Sequence, residues 1–133
     1  ELIDLDGWTP DELQAMVNRA AYMREALAEP TRRFDALRGL LLVTLFYENS
    51  TRTRVSFEVG AWQLGAHPLF LTPRDVQLGR GEPVADTARV LDRMVDGVMI
   101  RTFSHALVEE FARASAVPVI SGGSSNMRPA LTT

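Results

Sequence analysis

The densest run of anion-binding chemistry in the chain is Ser50-Thr51-Arg52-Thr53-Arg54, three hydroxyls and two guanidiniums in five residues. It follows the apolar stretch Leu40–Phe46 and opens a helical pattern. The first turn of a helix offers backbone N–H groups without intrahelical acceptors and a partial positive charge, so it is a natural seat for an anion. The hydroxyls and a forked arginine add donors suited to phosphate. The same residues also fit a helix that Ser50 merely caps, with Arg52 and Arg54 solvated. Arg101 comes directly after a second apolar stretch, Gly97–Ile100. There it either clamps the same anion or is an ordinary surface arginine. In the polar stretch 73–82, Gln77, Arg80 and Glu82 could close over a ligand or reach a neighbouring subunit, or simply form a loop. His67 and His105 are not spaced with other ligands as a metal site requires, so no metal is expected and both read as structural. No dinucleotide fingerprint, Walker loop or nucleophile elbow is present, so no cofactor is expected.

The elements that position these residues alternate. Thr9-Pro10-Asp11-Glu12 is a capping box with proline in the first turn. Leu13, Met16, Val17, Ala20 and Met23 then predict an amphipathic helix over 10–28. Residues 40–46 have the length of a strand buried on both faces. The helix opened by Ser50 carries Val55, Phe57, Val59, Trp62 and Leu64 as its apolar members and ends at Gly65. A strand at 67–71, a helix at about 84–95, a strand at 97–100, a helix capped by Ser104 and a strand at 117–120 follow. The apolar side of the helix at 84–95, with Val84, Ala88, Val90, Leu91 and Met94, is expected to face a core. Alternation of this kind predicts an α/β fold: a four-stranded parallel sheet with helices on both faces, a doubly wound three-layer sandwich. In such sheets ligands collect outside the carboxyl ends of the strands, where Ser50 and Arg101 are both expected.

Composition narrows the partners. The 133 residues suffice for one domain with its own core, and 46% hydrophobic with 23% charged content is ordinary for a globular chain. A net charge of −3 disfavours nucleic acid as a partner, and no apolar run approaches the roughly 20 residues that span a membrane. The absence of cysteine fits a cytoplasmic protein. All 14 basic residues are arginine, which excludes lysine Schiff-base chemistry and leaves arginine as the permanent cation for an anion.

The run Phe46-Tyr47-Glu48-Asn49-Ser50-Thr51-Arg52-Thr53-Arg54-Val55-Ser56-Phe57-Glu58 resembles the Ser-Thr-Arg-Thr-Arg signature of the aspartate/ornithine carbamoyltransferase family. The similarity continues through Gln77–Pro83, Asp86–Leu91 and Met99–His105 to Val117–Ile120. It implies that residues 1–120 are a carbamoyl-phosphate-binding domain, and that Ser50, Thr51, Arg52, Thr53 and Arg101 bind carbamoyl phosphate or phosphate. Among them Arg52, Thr53 and Arg101 would act as catalytic residues. It also implies a homotrimer in which Gln77 reaches the neighbouring subunit's site. The runs around Gln77 and Arg101 resemble the ornithine branch, whose reaction makes citrulline from ornithine in arginine biosynthesis. The aspartate branch places a Lys-Gly-Glu in the loop where this chain has Arg80-Gly81-Glu82. Arg54 is expected to be structural, paired with Glu58 one turn on.

Two departures bear on turnover. Where the family carries His-Pro-x-Gln, the chain, after a glycine- and serine-rich stretch, either places Arg128-Pro129-Ala130-Leu131 or has that motif deleted or replaced by an engineered linker. Residues 121–133 are therefore expected to be a linker-like or truncated tail. The second, amino-acid-binding domain of the family is expected to be absent, and the isolated chain to be inactive. A non-catalytic scaffold, engineered or degenerate, and a carbamoyltransferase acting on aspartate or another amine remain as alternatives.

Overall fold

The computed structural model describes residues 1–29, 34–75 and 83–124. The chain runs α1 (Pro10–Ala26), β1 (Leu41–Phe46), α2 (Thr51–Gln63), β2 (His67–Leu71), α3 (Val84–Leu91), β3 (Gly97–Thr102), α4 (His105–Ala114) and β4 (Val119–Ser124). The four strands form one parallel sheet in the order β2-β1-β3-β4. From β1 the chain moves outward to β2, then returns across the sheet to β3. The strand order therefore reverses between β1 and β3, and a crevice opens at their carboxyl ends. That crevice lies where the expected anion ligands converge.

Period-two alternation sorts the strand residues between two faces. Val43, Leu45, Val98, Ile100 and Val119 point to the face carrying α3 and α4, where Ala88, Leu91, Val108, Phe111 and Ala112 complete a buried cluster. Leu42, Thr44 and Met99 point to the other face, which carries α2. There Phe57, Gly60 and Ala61 of the helix, and Leu64 at its C-cap, line a cavity of about 550 Å³ with them. The sheet thus has helices on both sides, as the alternation predicts.

Local chemistry explains most of the boundaries. Thr9 Oγ1 accepts from the Glu12 N–H at 3.2 Å and Glu12 Oε2 accepts from the Thr9 N–H at 2.8 Å, the full capping box at the start of α1. Beyond Gln63, Gly65 takes a φ of +89°. A side chain there would be strained by that backbone, and its Cβ would meet Arg38 Cα at 3.1 Å.

Four expectations change. Strand β3 continues to Thr102, so Arg101 lies inside it, paired in register with Phe46 of β1. Strand β4 begins at Val119 and runs on to Ser124, so its last four residues fall in the stretch expected to be linker-like. They are held there by the pairing of Ser121 with Ile100 and by the Ser121 N–H donating to Leu2 O at 2.8 Å. Helix α3 ends at Leu91, and Val90 and Met94 are exposed while Ala88 and Leu91 are buried. On α2, Val55, Val59 and Trp62 are exposed at i, i+4 and i+7, on the side turned away from the sheet.

Candidate functional site

The carboxyl end of β1 leads through Tyr47, Glu48 and Asn49 into α2, and the expected cap is in place. Ser50 is extended (φ −152°, ψ 105°) and its Oγ accepts from the Thr53 N–H at 3.4 Å. The helical ladder begins with the Arg54 N–H donating to Ser50 O at 3.1 Å. The amides of Thr51 and Arg52 precede that ladder and have no acceptor within the helix. Ser50 Oγ–H also donates to Thr53 Oγ1 at 3.0 Å. Ser50 and Thr53 are half-buried, while Thr51 and Arg52 are exposed. The helix N-terminus thus carries two amides without intrahelical acceptors beside the Ser50 and Thr53 hydroxyls, with Arg52 exposed next to them.

Arg54 turns away from it. Its Nε donates to Glu58 Oε1 at 3.0 Å, and its guanidinium carbon lies 3.4 Å from the centre of the Phe70 ring. The pairing expected from the i, i+4 spacing is present, and the stacking on Phe70 of β2 adds to it. Of the two arginines in the run, Arg54 is thus engaged within the fold, while Arg52 is exposed.

Arg101 comes to the same edge from β3. The Tyr47 N–H donates to Arg101 O at 2.8 Å, so the residue after β1 and the end of β3 are directly joined. The guanidinium is half-buried, with Nε 3.6 Å from Glu48 Oε2 and Nη1 donating to Gly122 O at 3.1 Å. Gln77, Arg80 and Glu82 lie outside the described residues, as do Arg128 and Leu131.

Sequence reasoning passes over Glu48 and Tyr47, although both flank the hydroxyl-rich run. Glu48 Oε2 and Arg101 Nε form the ion pair yet neither has a hydrogen-bond partner, and Tyr47 OH is likewise buried without one. Burial, and then the charge of Glu110, pushes the Tyr47 phenol up to about 12. Tyr47 therefore packs against the core on the α3–α4 side as a neutral phenol at ordinary pH. His105 reads as structural from its spacing, and the fold sets its Nε2 3.9 Å from both Asp4 Oδ2 and Glu109 Oε1. Only the His105–Glu109 spacing is visible in the sequence, because Asp4 comes from the other end of the chain.

Comparison with known proteins matches these features to a family. Residues 1–130 match the family described as aspartate/ornithine carbamoyltransferase, carbamoyl-P binding domain. An ornithine carbamoyltransferase from Halorhodospira halophila is 54% identical over 119 residues, covering 90% of this chain and 39% of the relative. Among solved structures, the ornithine carbamoyltransferase from Burkholderia thailandensis superposes with a TM-score of 0.85 at 39% identity, over 93% of this chain and 42% of that one. The ornithine carbamoyltransferase from Pyrococcus furiosus gives a TM-score of 0.84 at 43% identity, over 93% of this chain and 39% of that one. The chain thus spans about two fifths of the length of these relatives. The ordered motifs, the four-stranded parallel sheet and the matched span together place the chain in the aspartate/ornithine carbamoyltransferase family, as its carbamoyl-P binding domain.

Proposed function

We propose that the crevice between β1 and β3 binds carbamoyl phosphate. The observation that carries this is the convergence of two anion-binding devices on one sheet edge: the capped N-terminus of α2 and the guanidinium of Arg101. The amides of Thr51 and Arg52, with the hydroxyls of Ser50 and Thr53, would hold the phosphate. Arg52, Thr53 and Arg101 would then polarise the carbamoyl oxygen and the bridging oxygen. Fixed donors aimed at developing charge are the main source of rate in acyl-type transfer. In the reaction an amine lone pair forms the new C–N bond, the C–O bond to phosphate breaks, and the amine gives up a proton.

The parent activity we propose is that of ornithine carbamoyltransferase, making citrulline and phosphate from ornithine and carbamoyl phosphate in arginine biosynthesis. The relatives' names and the motif pattern around Gln77 and Arg101 support the ornithine branch. In that protein this chain, with β4 running to Ser124, belongs to the carbamoyl-phosphate domain, Gln77 reaches the neighbouring subunit of a homotrimer, and the enzyme works in the cytoplasm. Among the described residues no helix is long and apolar enough to cross a membrane. Positioning of the amine supplies much of the catalytic advantage in a two-substrate reaction. The chain spans about two fifths of the length of these relatives, so residues 1–133 by themselves would bind carbamoyl phosphate without turning it over.

Calorimetric titration of carbamoyl phosphate, and separately of inorganic phosphate, into the chain and into Arg52→Ala tests the assignment. We expect saturable binding of one ligand per chain, weakened at least tenfold in Arg52→Ala. Absence of binding, or equal affinity in both proteins, would remove the proposed site. Citrulline formation by the chain alone would instead overturn its inactivity.

A further inference from the structure

We propose that Asp4, His105 and Glu109 form a binding site for a divalent transition-metal ion, separate from the anion crevice. The three ligand atoms lie within 4.8 Å of one another. His105 Nε2 faces Asp4 Oδ2 and Glu109 Oε1, each at 3.9 Å. Those distances are too long for hydrogen bonds. They are close to what an ion between the donors requires: bonds of roughly 2.0–2.1 Å in tetrahedral geometry put donors about 3.4 Å apart. A contraction of about half an ångström in each histidine–carboxylate pair, with the two carboxylate oxygens drawn together from within 4.8 Å, would close the site.

Two of the three ligand groups, Asp4 and His105, are also held by their far side. Asp4 Oδ1 accepts from the Asp6 N–H at 3.0 Å, which leaves Oδ2 to face the histidine. His105 Nδ1 lies 3.3 Å from Ser124 Oγ. With the ring proton on Nδ1, shared with that hydroxyl, the Nε2 lone pair points at the two carboxylates. In that tautomer three acceptors face one another and a cation would join them, and a second hydrogen bond at Nδ1 is the usual outer-shell support of a metal-bound imidazole. His105 and Glu109 sit one turn apart on α4, so the helix fixes their spacing. Asp4 is carried by a segment pinned to β4: the Leu2 N–H donates to Val119 O at 3.0 Å, and the Ser121 N–H to Leu2 O at 2.8 Å.

One neutral imidazole and two carboxylates carry two negative charges, which a divalent ion neutralises. The nitrogen and oxygen donors favour zinc, cobalt, nickel or manganese, and the chain has no cysteine to recruit softer ions. All three side chains are half-buried, so the remaining coordination positions are open to water. A bound ion would tie together the N-terminal segment, the first turn of α4 and the end of β4.

Cobalt(II) added to the chelator-treated chain provides the test, because its visible bands intensify when nitrogen and oxygen ligands replace water. We expect one cobalt per chain and a rise of several degrees in melting temperature. Binding should be lost in His105→Ala, weakened at least tenfold in Glu109→Gln and in Asp4→Asn, and unchanged in His67→Ala. The last variant removes the other histidine of the chain, at the exposed start of β2. The two conservative variants keep the test decisive should His105→Ala fail to fold. Absence of saturable binding, or full affinity in Asp4→Asn and Glu109→Gln, would overturn the site.

Discussion

Arg101 Nε and Glu48 Oε2 stand 3.6 Å apart at the carboxyl edge of the sheet, one from β3 and the other from the turn after β1. Their side chains are 27% and 21% exposed, and neither atom has a hydrogen-bond partner. The carboxylate holds a guanidinium in a place with little water, while its Nη1 is tied to Gly122 O. The two strands bordering the crevice are joined through this pair, so it couples the fold to the site.

Replacing Glu48 by Gln leaves that guanidinium half-buried without a counter-charge. Breaking a fully buried pair costs several kcal/mol, and with water still reaching these side chains about 1–2 kcal/mol is expected. Urea unfolding at neutral pH measures it. An unchanged midpoint would mean that the pair contributes nothing to stability.

Ser50 serves both the helix and the anion, and two substitutions separate the roles. Ser50→Ala removes the acceptor of the Thr53 N–H and should cost about 1 kcal/mol in stability. Ser50→Asp keeps a capping acceptor and should fold as well as the parent, but its carboxylate should abolish phosphate binding. Denaturation and phosphate titration on both variants read the two effects. Phosphate binding retained by Ser50→Asp would place the anion elsewhere.

The Tyr47 phenol sets an alkaline limit. Its folded-state value, raised by burial to about 12, exceeds the ordinary 10.0 of an unfolded chain. The unfolded chain therefore loses the proton first as pH rises. The contribution to stability is full below pH 10.0 and is lost between 10.0 and about 12. Discounted for the solvent that reaches this side chain, the loss is about 1 kcal/mol. Tyr47→Phe should flatten this limb, measured as unfolding free energy against pH. At neutral pH it should be neutral or slightly stabilising, since the hydroxyl it removes has no partner.

Arg54 offers the counterpart to Arg52. With its guanidinium on Phe70 and Glu58, Arg54→Ala should cost about 1 kcal/mol in stability. It should change phosphate affinity less than threefold. A tenfold loss of affinity in Arg54→Ala would reverse the assignment of the two arginines.

What the sequence makes legible is local. The capping box at Thr9, the cap at Ser50 and the Arg54–Glu58 pair each depend on residues within about one turn of each other, so their spacing carries them. The parallel sheet is legible because a strand buried on both faces is a nearly continuous apolar run, as at Leu40–Phe46, broken only by Thr44. Contacts made by the tertiary fold are not. The side of α2 bearing Val55, Val59 and Trp62 is as apolar as the side that packs, so composition alone does not tell which one meets the sheet. The extension of β4 through two glycines depends on Ile100 and Leu2, both distant in sequence. The Glu48–Arg101 pair and the Asp4–His105 approach likewise join residues from different elements.

If the N-terminus of α2 and Arg101 form one anion site, a single ligand must be felt by both. Carbamoyl phosphate titrated into ¹⁵N-labelled chain reads this residue by residue, through the amides of Thr51, Arg52 and Thr53 and the Nε–H of Arg101. All four signals are expected to shift and saturate together with a single affinity. Shifts confined to one of the two groups, or two different affinities, would contradict a shared site.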